Sequence, residues 1–315
     1  MPRSLPIIDI SRTEGLPERL DSACRHEGFF YVIGHGIDPQ IRARAFDAAR
    51  RFFALSDQTK QRWHIERSGI HRGWDPVAWQ SLEPGRPGDL KESFYLGVDR
   101  AADDPLVQAG TPNHGPNQWP DEALVPGFQA AIERYESATQ ELARRLMSGI
   151  AQGLGLPSRY FDAFMRDPMP VLRLLHYPEQ PPSEAALPGQ IGCGAHTDWG
   201  SITLLAQDEA GGLQVQDEQG HWFDASPVAD AYVVNLGDMM ARWTNDRYRS
   251  TPHRVLNPSG RDRLSIAYFF DMDFHAKVEV LPGCSNEERP PRYAPTTAGR
   301  HIIEMYERTR AVAAP

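Results

Sequence analysis

Beyond Met169 the apolar residues of this chain fall at every second position, and they do so again and again. VLRLLHYP, SITLLAQ, GLQVQ, HWFDAS, AYVVNLGD, HRVLN, RLSIAYFF and AKVEVL are eight short strand candidates separated by turn-forming residues. A two-residue period leaves each strand one apolar face to bury. Eight such strands in succession suit two sheets packed face to face, the cupin-like jelly roll or double-stranded β-helix. The expected fold class is α+β, because the rest of the chain reads differently.

Ahead of the barrel, PIIDI reads as a strand, LPERLDSACRHEG as an amphipathic helix and FFYVIGHGI as a buried strand closed by the Gly34-His35-Gly36 turn. Asp38 and Pro39 stand where an N-cap and a first helical residue belong, and Ile41, Phe46, Ala49, Phe52 and Phe53 form the apolar face of the helix they open. Residues 71–118 are rich in Gly, Pro and Asn and read as irregular apart from the strand KESFYLGV; so long a loop is more often functional than not. Residues 121–155 read as a long helix backing the sheet, with Phe128, Ile132, Tyr135, Leu142, Leu146 and Ile150 as its apolar stripe. TTAGRHIIEMYERT reads as a closing helix over 295–310, capped by Thr296 or Thr297. With no repeat and no low-complexity linker, residues 1–315 are expected to form one compact unit: an amino-terminal region over 5–120 and a barrel over 168–275.

The chain has 315 residues, 40% of them hydrophobic, enough for a sizeable core. A formal charge of -9 argues against nucleic acid or an anionic membrane as the main partner and leaves a small molecule as the expected one. Cys24, Cys193 and Cys284 are far apart and form no CxxC pair, so neither a disulfide framework nor a zinc ribbon is expected. The first residues lack a signal-peptide pattern and no apolar run reaches the roughly 18 residues of a membrane span, so a cytoplasmic protein is expected.

His196 and Asp198 stand in GCGAHTDWGS just before the strand SITLLAQ. Residues two apart in an extended chain point to the same side at roughly 6.5 to 7 Å, so an imidazole and a carboxylate there can converge on one ion. An HxD pair alone is also a common structural hydrogen bond. His253, before the last barrel strands, supplies a third donor. Two histidines and one carboxylate leave adjacent octahedral positions open, the arrangement of non-haem Fe(II) oxygenases, which bind cosubstrate and O2 together. A closed zinc site would more often use four ligands with thiolates, and HExxH is missing. Ten residues after His253 comes Arg263-Leu264-Ser265, where alternation sets Arg263, Ser265, Ala267 and Phe269 on one face. A buried guanidinium needs a partner, either a bound carboxylate or a protein acid such as Asp262 or Asp273.

Taken together, HTDWG, VVNLGDMM, RYRSTPHRV and the H-x9-R-L-S spacing resemble the Fe(II)/2-oxoglutarate oxygenases of the isopenicillin N synthase group. GFFYVIGHGI, KESFYLG and HYP are similar to that family's amino-terminal, central and barrel-entering strands, so the resemblance spans almost the whole chain. It implies a jelly roll, Fe(II) held by His196, Asp198 and His253, and 2-oxoglutarate held through its distal carboxylate by Arg263 and Ser265 with help from Tyr177. The implied reaction oxidises a small molecule with O2, most simply by hydroxylation, and releases succinate and CO2. Desaturation, cyclisation and ethylene formation share the same oxidant. Leu175 stands where many plant members have an Asn that contacts the cosubstrate. Some members keep R-x-S without using 2-oxoglutarate, so a cosubstrate-independent iron oxidase is the alternative within the family. A non-catalytic binding module is the alternative outside it.

Three further residues are substrate candidates. Arg173 shares a strand face with Tyr177 and would meet an anionic group of the substrate or cosubstrate, or else a protein acid such as Glu92. Glu92 would alternatively meet a cationic group on the substrate. Trp199 would line the pocket or simply pack. His35, His176, Asn235, Gly237 and Asp238 read as structural: a turn residue, an outward packing residue, and a tight turn with its cap.

Overall fold

The computed structural model describes residues 3–83, 85–179, 187, 189–257 and 261–312. Fourteen strands are assigned among them: β1 (Ile7–Asp9), β2 (Phe29–Ile33), β3 (Gly73–Asp75), β4 (Glu92–Gly97), β5 (Val171–Tyr177), β6 (Cys193–His196), β7 (Ile202–Gln207), β8 (Leu213–Gln216), β9 (Trp222–Asp224), β10 (Tyr232–Leu236), β11 (His253–Val255), β12 (Arg263–Phe270), β13 (Lys277–Val278) and β14 (Thr296–Thr297). The helices are α1 (Leu16–His26), α2 (Pro39–Phe53), α3 (Asp57–Lys60), α4 (Pro105–Gln108), α5 (Phe128–Gly153), α6 (Asp238–Trp243) and α7 (Ala298–Val312).

Eight strands form one large sheet in the order β1-β2-β10-β7-β12-β5-β4-β3, and β6-β11-β8-β9 form a smaller one. The two sheets are the double-stranded β-helix expected from the two-residue period. A first core lies between the large sheet and helices α1, α2 and α5, and holds Phe30, Phe52, Phe94, Leu146, Leu174 and Ile266. A second lies between the sheets, around Phe29, Leu175, Tyr177, Leu213, Val233 and Val255. The large sheet is therefore buried on both faces. The amino-terminal strands β1 to β4 complete its edges, so the amino-terminal region and the barrel share one sheet.

Local chemistry explains most boundaries. The Asp38 side chain accepts from the Gln40 N–H and Pro39 opens α2, while the Thr297 hydroxyl accepts from the Arg300 N–H in the first turn of α7. The long helix begins at Phe128 and not near 121: Pro126 and Gly127, the latter at φ +70°, end a separate short turn first. AKVEVL contributes only a two-residue pairing with β14. The barrel's remaining strand is Cys193–His196, whose small and polar residues carry no apolar alternation. Within the stretch expected to be irregular, Gly73–Asp75 pairs with β4.

The two faces of the large sheet settle Glu92. On β4 it sits opposite His176 of β5, on the helix side, whereas Ser93 and Tyr95 face the other way. Its carboxylate accepts from the Lys60 ammonium at 2.6 Å, the Trp74 indole at 2.6 Å and the His176 ring at 2.8 Å. Glu92 is thus a structural acid and does not reach the substrate side. His176, stacked on Phe53, packs on that same face. Because Lys60 and Glu92 are both almost fully buried, Lys60→Met should leave an uncompensated carboxylate and destabilise the fold by about 3 to 5 kcal/mol. Urea unfolding measures this, and unchanged stability would show that the pair is not what holds Glu92 in the core.

Candidate active site

His196 ends β6 and His253 begins β11, and the two are direct cross-strand partners. Asp198 follows two residues after His196, in the connection to β7. One donor atom from each of the three residues lies within 4.8 Å of the others. Both rings are turned by backbone carbonyls: His196 Nδ1 bonds to Gly194 O at 2.8 Å and His253 Nδ1 to Thr251 O at 3.2 Å. Each Nε2 is then left facing Asp198 Oδ1, at 3.9 and 3.7 Å. Oδ2 of Asp198 accepts from Thr203 Oγ1 at 2.5 Å and Asn235 Nδ2 at 2.7 Å, while no donor among the described residues bonds to Oδ1.

Burial, reinforced by the neighbouring His196, pushes His253 down to about 4 against the pull of Asp198, and burial likewise lowers His196. Burial works against the Asp198 carboxylate. The facing imidazoles and the bonds from Asn235 and Thr203 outweigh it and hold the group below the ordinary carboxylate range. Two imidazoles and one carboxylate, offering one donor atom each within 4.8 Å of the others, suit a divalent cation of intermediate hardness. The sequence gives Asn235 only a turn-shaping part; its role toward Asp198 escapes sequence reasoning because the contact joins β10 to the β6–β7 connection. Gly237 and Asp238 do shape the backbone there, since a Cβ on Gly237 would lie 2.3 Å from Gly200 O and the Asp238 N–H donates to Asp198 O at 2.8 Å.

Two cavities meet at this cluster, both walled by Leu82, Arg173, His196, Asp198 and Phe269. The inner one continues between the sheets to His253, Tyr177, Arg263 and Ser265, with Leu175 on its wall. Arg263 is fully buried, its guanidinium over the Tyr177 ring at 4.6 Å. It donates to Gly211 O at 2.6 Å and to Ser265 Oγ at 3.1 Å. No carboxylate among the described residues lies in ion-pairing range of it. Asp262 is engaged with the Glu179 N–H and Asp273 with the Asp167 N–H, so neither of the protein partners considered for Arg263 is one.

The outer cavity is bounded by Tyr95, Val171, Trp199, Ile302 and Tyr306, together with Arg72, Gln80, Asn113 and Asp271. Trp199 both lines it and packs edge-on against Tyr306 of α7. Arg173 lies over the Tyr95 ring and donates to Ser93 Oγ at 2.8 Å and Gln80 Oε1 at 3.0 Å. Its acidic neighbour is Asp75 of β3 at 3.5 Å, not Glu92. Burial pushes the Asp75 carboxyl up and opposes its ionisation, yet it is the only acid among the described residues within range of this guanidinium. Arg173 therefore does not by itself call for an anionic substrate.

Asp271, directly after β12, is not singled out by the sequence motifs. The alternation that links Arg263, Ser265, Ala267 and Phe269 reaches it with one more step, so a signal was present. Burial, with Asp198 nearby, pushes it up to about 7.

Residues 5–122 match the family model for the non-haem dioxygenase in morphine synthesis N-terminal domain, and residues 168–272 that for the 2OG-Fe(II) oxygenase superfamily. A 2-oxoglutarate-Fe(II) type oxidoreductase of Emericella nidulans, hxnY, is 40% identical over 98% of this chain and 91% of its own. A homoarginine-6-hydroxylase of Oryza sativa is 33% identical over 96% of each chain. Among solved structures, a full-length Neurospora crassa protein in complex with alpha-KG and thymine superposes with a TM-score of 0.84 at 32% identity, covering 98% of this chain and 96% of that one. Among the described residues no helix is long and apolar enough to cross a membrane. With relatives of this identity matched along nearly their whole length, the chain belongs to the 2OG-Fe(II) oxygenase superfamily and is an Fe(II)- and 2-oxoglutarate-dependent dioxygenase.

Proposed function

We propose that His196, Asp198 and His253 hold the iron, that Arg263 and Ser265 anchor the distal carboxylate of 2-oxoglutarate over the Tyr177 ring, and that a small organic molecule is hydroxylated in the outer cavity. The observation that carries this reading is one inner cavity that joins a converged two-histidine, one-carboxylate cluster to a buried guanidinium with no described carboxylate partner. Leaving such a charge unanswered in an apolar interior is costly, and a dicarboxylate matches its planar fork.

Bound Fe(II) supplies the coupling of O2 reduction to decarboxylation of 2-oxoglutarate, so that one oxygen atom ends in succinate beside CO2 and the other converts a substrate C–H to C–OH. The protein's own residues do the rest. Gly194 O and Thr251 O set the tautomers that present both Nε2 lone pairs, and Thr203 and Asn235 hold Asp198 so that Oδ1 is the free ligand atom. Phe269 and Leu82 line the junction of the cavities and Leu175 the inner one, and these apolar side chains restrict water. Arg173, at that junction, orients what lies on either side. Leu175 takes no part in polar recognition, so the cosubstrate is held from the Arg263 end. The three cysteines are free and buried, which supports a reducing, cytosolic setting.

The direct test adds Fe(II) and 2-oxoglutarate anaerobically, then screens neutral, cationic and anionic small molecules for O2 uptake with matching succinate. Stoichiometric coupling to one class identifies the substrate; O2 uptake without succinate would reject the cosubstrate assignment.

His196→Ala and Asp198→Ala should each abolish Fe(II) binding and turnover while circular dichroism stays native, because two donors chelate far more weakly than three. Metal retained at wild-type stoichiometry in both would refute the ligand set. Asn235→Ala removes one of the two donors to Oδ2 of Asp198 and should weaken Fe(II) affinity by about 10- to 100-fold, with 2-oxoglutarate binding to the iron-saturated protein little changed. Arg263→Lys keeps the charge but loses the fork, and the missing charge-assisted bond should raise the apparent KM for 2-oxoglutarate roughly 10- to 150-fold. An unchanged KM would place the cosubstrate elsewhere.

A further inference from the structure

The outer cavity holds a carboxyl group that neither the ligand set nor the cosubstrate site uses. Asp271 is 6% exposed and lies on the face of β12 that carries Phe269, Ser265 and Arg263. One oxygen, Oδ1, accepts the Ser201 N–H at 3.0 Å. Among the described residues no donor reaches Oδ2, and the side chain lines the cavity. The approach is built in: a Cβ on Gly200 would lie 1.7 Å from Oδ1, so only glycine at 200 lets the acid sit against the connection that follows the Asp198 ligand. A carboxyl group held this deeply with half its acceptor capacity unused is costly unless something in the cavity donates to it.

The remaining walls narrow what that something is. Tyr95, Trp199, Phe269 and Tyr306 offer flat aromatic surfaces, which suit a ring. Arg173 has Asp75 at 3.5 Å, and Arg72 on the same wall donates to the carbonyls of Ile70, His71 and Asn113 with no carboxylate in ion-pairing range among the described residues. The group that singles out a hydrogen-bond donor is therefore the open oxygen of Asp271. We infer that Asp271 is a specificity-determining residue that selects a ring compound bearing an N–H or O–H donor. This rests on the outer cavity being the substrate site.

The test uses the full chain loaded anaerobically with Fe(II) and 2-oxoglutarate, at mildly alkaline pH to keep Asp271 ionised. Formation of the coloured Fe(II)–2-oxoglutarate chelate is checked first. Two probes are then titrated by calorimetry: 2-pyridone, which has a ring N–H, and N-methyl-2-pyridone, which has lost it. Loss of one charge-assisted bond predicts that 2-pyridone binds at least about tenfold more tightly than its N-methyl analogue. Asp271→Leu should bring the ratio of the two pyridones close to one, and Asp271→Asn, which keeps an acceptor oxygen and the shape, should retain part of it. Equal binding of the two pyridones to the wild type, or no binding of either to the chelate-forming protein, overturns the inference and leaves the oxygenase reading standing; the wild-type comparison decides this even where a variant does not fold. Absence of the chelate overturns the oxygenase reading itself.

Discussion

The buried Asp198 carboxylate is the point on which the rest of the site turns. Thr203 from β7 and Asn235 from β10 hold one of its oxygens, while imidazoles from β6 and β11 face the other. Those strands belong to both sheets, so the carboxylate ties the sheets together at the mouth of the barrel. An unpaired negative charge in such a place would oppose folding. Here the hydrogen bonds and the facing imidazoles offset its desolvation, and a bound cation would complete the set. The register His253↔His196 follows from the same demand, since a slip of one residue would turn an imidazole to the far side of the strand.

The large sheet sorts polar chemistry by face. On β4 and β5, Glu92 and His176 point toward the helices, where Lys60 neutralises the acid within the first core. Ser93, Tyr95, Arg173 and Tyr177 point between the sheets. Both arginines of that side lie against tyrosine rings, yet they differ in one respect: Arg173 has Asp75 at 3.5 Å, and Arg263 has no described carboxylate in range. Arg263 lies in the inner cavity, and Arg173 stands where that cavity meets the outer one. A relative named as a homoarginine hydroxylase and a neighbour of the same fold in complex with thymine are expected when the binding walls, and not the fold, carry the specificity.

Packing on both faces of the large sheet is what makes this placement rigid. Helix α5 covers one face with a continuous apolar stripe, and the residues between the sheets cover the other. The ligand-bearing strands β6 and β11 are short and sit in the smaller sheet, so their geometry derives from the rigid sheet opposite them. Helix α7 closes the outer cavity with Ile302 and Tyr306, and His301 bonds to the Trp199 carbonyl, which links the end of the chain to the residue next to the iron ligand.

Much of this was written locally. Periods of two and near 3.6 marked most strands and helices, HxD with a distant His marked the ligands, and alternation placed Arg263, Ser265, Arg173 and Tyr177 on inward faces, because those signals depend only on neighbours along the chain. The sequence by itself therefore determined the fold class, the donor set and the inward cations. It could not show β6, whose Cys-Gly-Ala-His sequence carries no apolar period, nor that 277–278 would be only a two-residue pairing. Pairing across the sheets decided the rest: that Asn235 serves Asp198, that Glu92 turns to Lys60, that Arg173 meets Asp75, and that Asp271 is left facing the cavity with an acceptor to spare. Each of these joins residues dozens of positions apart, and a hydrogen-bond or ion-pair partner at that separation is chosen by strand order and register, which no local pattern encodes.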